Sequence, residues 1–97
     1  MSRTYINTEN KDIDVCVGLD RSTGFFLQAF HHGEDEPFID MDTKPYFKET
    51  YASRSCLIKT AKNLADPGCK HTHNIISYIA LDLDPALYLE TLTDGEF

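Results

Sequence analysis

The chain has 97 residues, of which 26% are charged, and its formal net charge is −7. This length predicts a single domain over residues 1–97, and the acidic balance argues against direct binding of nucleic acid through a basic surface. No apolar run approaches the roughly 18 residues of a bilayer span, and the first residues lack a signal-like apolar stretch. Three cysteines without disulfide spacing indicate reduced thiols, so we expect a cytoplasmic protein.

The clearest predicted element is a β-hairpin over residues 12–32. Apolar residues at positions 13, 15, 17 and 19 alternate with polar ones, which predicts a strand with one apolar and one acidic face. Residues 20–24 (DRSTG) have turn chemistry, and an aromatic-rich strand returns after them. A three-residue loop would place Phe25, Leu27 and Ala29 on the apolar face of the first strand. A four-residue loop would reverse that register, and the sequence leaves the choice open.

The segments beside the hairpin extend the predicted sheet. Residues 4–7 form either a short strand or an ordered arm. Residues 33–37 (GEDEP) are a loop, because Gly and Pro bracket three consecutive acids. The alternation at residues 38–42 predicts a further strand, antiparallel to the second hairpin strand. The first half is therefore predicted to be an antiparallel three-stranded meander.

The second half is predicted to be helical. Residues 46–64 have helical spacing, with a restart at Ser53 or Ser55 and a stop at the sequence DPG. Thr72 is the predicted N-cap of a helix that continues through Leu83, although the same residues also alternate as a strand would. The pair Asp84-Pro85 starts a last short helix over residues 85–92, which ends before Gly95. The fold class is thus α+β, with three or four short helices after the meander.

One group of residues has the spacing of metal ligands: Cys69, His71 and His73. A structural zinc site needs four ligands and a catalytic site needs three, and no C-x-x-C or H-E-x-x-H motif accompanies these residues. A small metal- or thiol-dependent protein is therefore the alternative function, while we expect no bound cofactor. No catalytic spacing is recognisable either, so we expect no enzymatic activity.

The acidic residues are unevenly distributed along the chain. Residues 1–43 hold nine acids and three bases, residues 44–71 hold two acids and six bases, and residues 72–97 hold five acids and no Lys or Arg. Such a charge pattern suits a basic partner, because complementary fields steer association. The candidate partner-binding residues are Asp12, Asp14, Asp20, Glu34, Asp35, Glu36, Asp40, Asp42, Asp82, Asp84 and Glu90.

The chain resembles the small acidic proteins of phages and mobile elements, in particular type I-F anti-CRISPR proteins of the DNA-mimic kind. The resemblance lies in its length, its scattered acids, residues 3–5 (RTY) and the hairpin core at residues 15–26 (VCVGLDRSTGFF). It implies an inhibitor in the cytoplasm of an infected or element-carrying bacterium. The partner would be the DNA-binding site on the protein subunits of a type I-F CRISPR surveillance complex, without direct contact to DNA or membrane. An acidic regulatory adaptor of a mobile element remains a further alternative.

Overall fold

A four-stranded antiparallel sheet followed by three helices makes up the fold. The computed structural model describes residues 3–44 and 52–92. The strands are β1 (Thr4–Ile6), β2 (Ile13–Asp20), β3 (Gly24–His31) and β4 (Ile39–Asp42), paired in chain order, and the helices are α1 (Arg54–Leu64), α2 (Lys70–Ala80) and α3 (Ala86–Glu90). The α+β class is confirmed. The predicted sheet of three strands is one strand short, because residues 4–6 pair with β2 rather than forming an arm.

The hairpin has the three-residue loop. Pairing of Val17 with Leu27, and of Leu19 with Phe25, places the apolar residues of both strands on one face, which we call the inner face. The turn is held by Asp20, whose carboxylate accepts hydrogen bonds from the Ser22 backbone N–H at 2.9 Å and hydroxyl at 2.8 Å. Gly24 closes it at a φ of +68°, a left-handed conformation that costs glycine little.

The helices cover the inner face. Leu27 and Val17 of the sheet and Leu57 and Ile79 of the helices are fully shielded from solvent and belong to one apolar cluster. Within residues 53–64 the predicted helix begins as expected, since the Ser53 hydroxyl caps α1 by accepting the Cys56 N–H at 3.1 Å. The predicted helical start at residues 46–51 lies outside the described residues.

The predicted start of α2 is wrong. The helix begins at Lys70 with Cys69 as its N-cap residue, whereas the sequence favoured Thr72 because a threonine hydroxyl is a common helix cap. That hydroxyl has another use: Thr72 is buried within the helix, and its Oγ1 accepts the backbone N–H of Asn7 at 2.9 Å. The hydrogen bond ties α2 to the end of β1.

The last two helices were also predicted to extend too far towards their C-termini. The structure ends α2 at Ala80, and Asp82 adopts a left-handed φ of 64° just beyond it. The N–H groups of Asp82 and Leu83 then bond the carbonyls of Ile79 and Tyr78, which is the Schellman arrangement of a helix C-terminus. The next helix, α3, spans residues 86–90 rather than 85–92, and the predicted stop at Gly95 lies outside the described residues.

Candidate functional site

The eleven predicted acids do not form one surface. Seven lie on the face of the sheet opposite the helices, which we call the outer face, or at its margin near the β3–β4 loop: Asp12, Asp14, Glu34, Asp35, Glu36, Asp40 and Asp42. Three line a cleft at the hairpin tip: Asp20, Asp82 and Asp84. Glu90 is exposed on α3, which packs against α2 on the other side of the molecule.

Strand pairing fixes the layout of the outer face. Tyr5, Cys16, Gln28 and Asp40 are consecutive partners across all four strands, so they form one row about 14 Å long at ordinary strand spacing. Asp14 precedes Cys16 by two residues, which places it on the same face about 7 Å along the strand. The acids of β2 and β4 therefore point to the same side of the sheet.

A concave region on this face, which we call the acidic groove, brings distant acids together. Its volume is about 300 Å³, and its lining includes Asp14 of β2 together with Glu34 and Asp35 of the β3–β4 loop. Arg3 and Tyr5 border it from the β1 side. The groove thus places three carboxylates around one guanidinium, an arrangement that favours a cationic partner.

Short contacts position the strand carboxylates. Asp14 Oδ2 lies 3.1 Å from His32 Nδ1, and Asp40 Oδ1 lies 3.5 Å from the Gln28 side-chain amide. Cys16, in the middle of the row, is fully buried. Burial raises the pKa of the Cys16 thiol, the Arg3 charge lowers it and the Asp40 charge raises it, so this cysteine is a neutral packing group.

The loop acids are carried by an anchored turn. Gly33 has a φ of +85°, and the Glu34 N–H bonds the His31 carbonyl at 2.9 Å. At the other end the Phe38 N–H bonds the Ala29 carbonyl, and the Phe38 ring stacks on His31 with centroids 4.3 Å apart. These contacts fix both ends of the loop, so its exposed carboxylates are presented in a defined place beside the groove.

The metal-like spacing does not produce a converging set of ligands. His71 Nδ1 lies 2.6 Å from the Tyr88 hydroxyl, whereas His73 Nε2 lies 2.9 Å from the Pro67 carbonyl. The Cys69 sulfur accepts hydrogen bonds from the Asn7 amide at 3.0 Å and the Thr72 hydroxyl at 3.3 Å. Across residues 3–44 and 52–92, no three His, Cys, Asp or Glu side chains lie together as metal ligands would.

Sequence reasoning missed several residues of the groove. Arg3 and Tyr5 belong to it because β1 pairs with β2, and Phe30 belongs to it because the three-residue loop sets the hairpin register. The alternation of Arg3 and Tyr5 with the buried Thr4 and Ile6 was a usable signal of a two-faced strand.

No family model, curated protein or solved structure matches this chain, so its function has to be inferred from its own residues. Among the described helices, none combines the length and the apolar character of a membrane-spanning segment.

Proposed function

We propose that the chain is a binding protein that inhibits a type I-F RNA-guided surveillance complex. Its acidic groove and the neighbouring loop occupy a basic site that otherwise receives target DNA. The observation that carries the proposal is the convergence of Asp14 with Glu34 and Asp35 on a face of the sheet that the helices leave uncovered. The identity of the complex comes from the resemblance of the hairpin sequence to anti-CRISPR proteins.

Electrostatics supports a basic partner for this face. The net charge of −7 attracts a cationic surface over a distance of about one Debye length, ~8 Å at physiological salt. Such fields increase association rates and help to exclude wrong partners. RNA-guided complexes hold DNA in basic channels, which are surfaces of the required charge.

The test is competition between the protein and target duplex for a purified type I-F complex. We expect tight binding that excludes the duplex and weakens as salt is increased from about 0.1 M to 0.5 M, where screening shortens the reach of the charges. Simultaneous binding of protein and duplex would contradict the proposed mechanism. Absence of binding to the complex would remove the proposed partner.

A charge-matched pair of variants tests the groove itself. The double variant Glu34→Gln with Asp35→Asn should bind the complex about 2- to 30-fold more weakly, because each exposed ion pair that a carboxylate forms with a basic partner contributes about 0.2–1 kcal/mol. The control Glu9→Gln with Asp66→Asn removes the same charge from positions outside the groove and keeps the side-chain oxygen that accepts the Gly68 N–H. Equal affinities of the two double variants would mean that net charge alone attracts the partner, and the groove would lose its assigned role.

A further inference from the structure

A second, larger concave region lies at the hairpin tip, away from the acidic groove. It has a volume of about 700 Å³ and is formed by the hairpin turn, the end of β4, the start of α1 and the α2–α3 loop. Leu19 and Phe25 give it an apolar floor. This size is in the range of about 300–1,000 Å³ that is typical of sites for drug-sized molecules.

The walls of this cleft carry opposite charges. Arg21 and Lys44 lie on the hairpin side, where the Lys44 backbone N–H bonds the Thr23 carbonyl at 3.0 Å. Asp82 and Asp84 lie on the side of the α2–α3 loop, where the Arg54 guanidinium donates a hydrogen bond to Asp82 at 2.8 Å and leaves this wall with a net negative charge. A ligand of one charge would therefore be attracted by one wall and repelled by the other.

The remaining acid on the hairpin side is already engaged. The backbone N–H and hydroxyl of Ser22 bond the Asp20 carboxylate and lower the pKa of that group. Asp20 is therefore ionised and offsets one of the two basic charges on the hairpin side, which leaves this wall with a net positive charge.

Local stability does not explain the acid at position 82. Asp82 has a φ of 64° where a helix ends, a position that glycine occupies most easily, and its carboxylate lies at the negative end of the α2 dipole. The Asp82 carboxylate pairs with the Arg54 guanidinium at 2.8 Å, and both side chains are substantially exposed. An unfavourable backbone conformation that brings a carboxylate to a cleft points to a role in binding.

We propose that the hairpin-tip cleft binds a short peptide segment in which an apolar side chain lies between a basic and an acidic residue. The apolar side chain rests on Leu19 and Phe25, the basic residue faces Asp82 and Asp84, and the acidic residue faces the hairpin wall. Leu81 and Leu83, the sequence neighbours of Asp82, are 67% and 42% exposed. This site is independent of the acidic groove.

Titration of the ¹⁵N-labelled protein with four capped tripeptides tests this proposal. The probes have a central leucine, and their outer residues are Lys and Glu, two Lys, two Glu, or two Gln. We expect the mixed-charge peptide to bind at least tenfold more tightly than the other three, with amide shifts at Leu19, Gly24 and Phe25. Equal binding of the four peptides, or shifts confined to the acidic groove, would overturn the proposal.

Variants separate the two walls of the cleft. Asp82→Asn retains a residue type that tolerates the left-handed conformation, and Arg21→Gln changes an exposed turn residue, so each permits a fold check by amide spectrum. Each should reduce affinity for the mixed-charge peptide at least threefold and reduce its preference over the Gln peptide. The control Glu9→Gln with Asp66→Asn, which lies outside the cleft, should bind as the parent does. Unchanged affinity in both cleft variants would refute the assignment of the charged walls.

Discussion

The residue Asp82 offers a direct test of whether a carboxylate is kept at the cleft at the expense of stability. A left-handed conformation costs a non-glycine residue about 1–2 kcal/mol, with Asp and Asn at the low end. Glycine removes that cost but adds about 0.4–1 kcal/mol of unfolded-state entropy. The carboxylate's repulsion by the helix dipole, about 0.3–1 kcal/mol, roughly cancels the exposed ion pair with Arg54, about 0–1 kcal/mol.

The expected net effect of Asp82→Gly is therefore a rise of up to about 0.6 kcal/mol in the free energy of unfolding. For a domain of this size, that corresponds to an increase of up to about 5 °C in Tm. Asp82→Ala should lower the free energy of unfolding by about 0.5–1 kcal/mol, because alanine has no polar side chain to support the left-handed conformation. Asp82→Asn should differ little from the parent.

Urea denaturation followed by circular dichroism measures this series, with peptide binding measured on the same samples. The glycine variant should be more stable and yet bind the mixed-charge peptide more weakly, so that stability and binding change in opposite directions. If Asp82→Gly is less stable than Asp82→Ala, the backbone argument is wrong. If the glycine variant binds the peptide as the parent does, the carboxylate has no role in the cleft.

Three further predictions concern the core, the hairpin turn and the thiols. Leu57→Ala should lower the free energy of unfolding by about 2–5 kcal/mol, since Leu57 is 0% exposed in the core; a urea midpoint within error of the parent would contradict that packing. Gly24→Ala should cost at least about 2 kcal/mol in the same assay, because φ is +68° and an added Cβ would collide with the Thr43 hydroxyl. Cys69 should be alkylated faster than Cys16 at neutral pH, as followed by peptide mass spectrometry. The hydrogen bond from the Thr72 hydroxyl is the main cause of the lowered pKa of the Cys69 thiol, whereas burial raises the pKa of the Cys16 thiol. Ionisation of Cys69 should increase the free energy of unfolding. This contribution should be fully present above the pKa of the thiol in the unfolded chain, and it should be lost as the pH falls through the lower pKa of the thiol in the folded protein. Equal alkylation rates would refute the assignment.

Local chemistry was sufficient to predict most of the secondary structure. Strict alternation and the turn residues at positions 20–24 predicted the hairpin, and Ser53 was correctly named among two possible caps for the first described helix. The prediction failed at Thr72 because its hydroxyl bonds the backbone of Asn7, which is 65 positions away in sequence. A threonine hydroxyl can either cap a helix or accept a buried hydrogen bond from a distant backbone group, and only the tertiary structure shows which of the two it does.

The candidate site was less predictable than the fold. Sequence could name the acids, but their assignment to surfaces depends on the hairpin register and on the pairing of β1. The cleft at the hairpin tip collects residues from four separate segments, among them Arg21, Lys44, Arg54 and Asp82. Their sequence signals were those of ordinary turns and helix ends, so no local pattern distinguished them.

Charge density limits how far an acidic groove can resemble DNA, and it leads to a final prediction. Duplex DNA as long as the 42 Å axis of this protein would carry about 25 phosphates, whereas the whole chain has 16 acids and 9 bases. DNA also holds condensed counterions that are released on binding, while separated carboxylates are only screened. The logarithm of affinity should therefore fall less steeply with the logarithm of salt concentration for the protein than for target duplex on the same surveillance complex. An equally steep slope would mean that many more charges meet the partner than the acidic groove provides, and the contact surface would have to extend beyond the outer face.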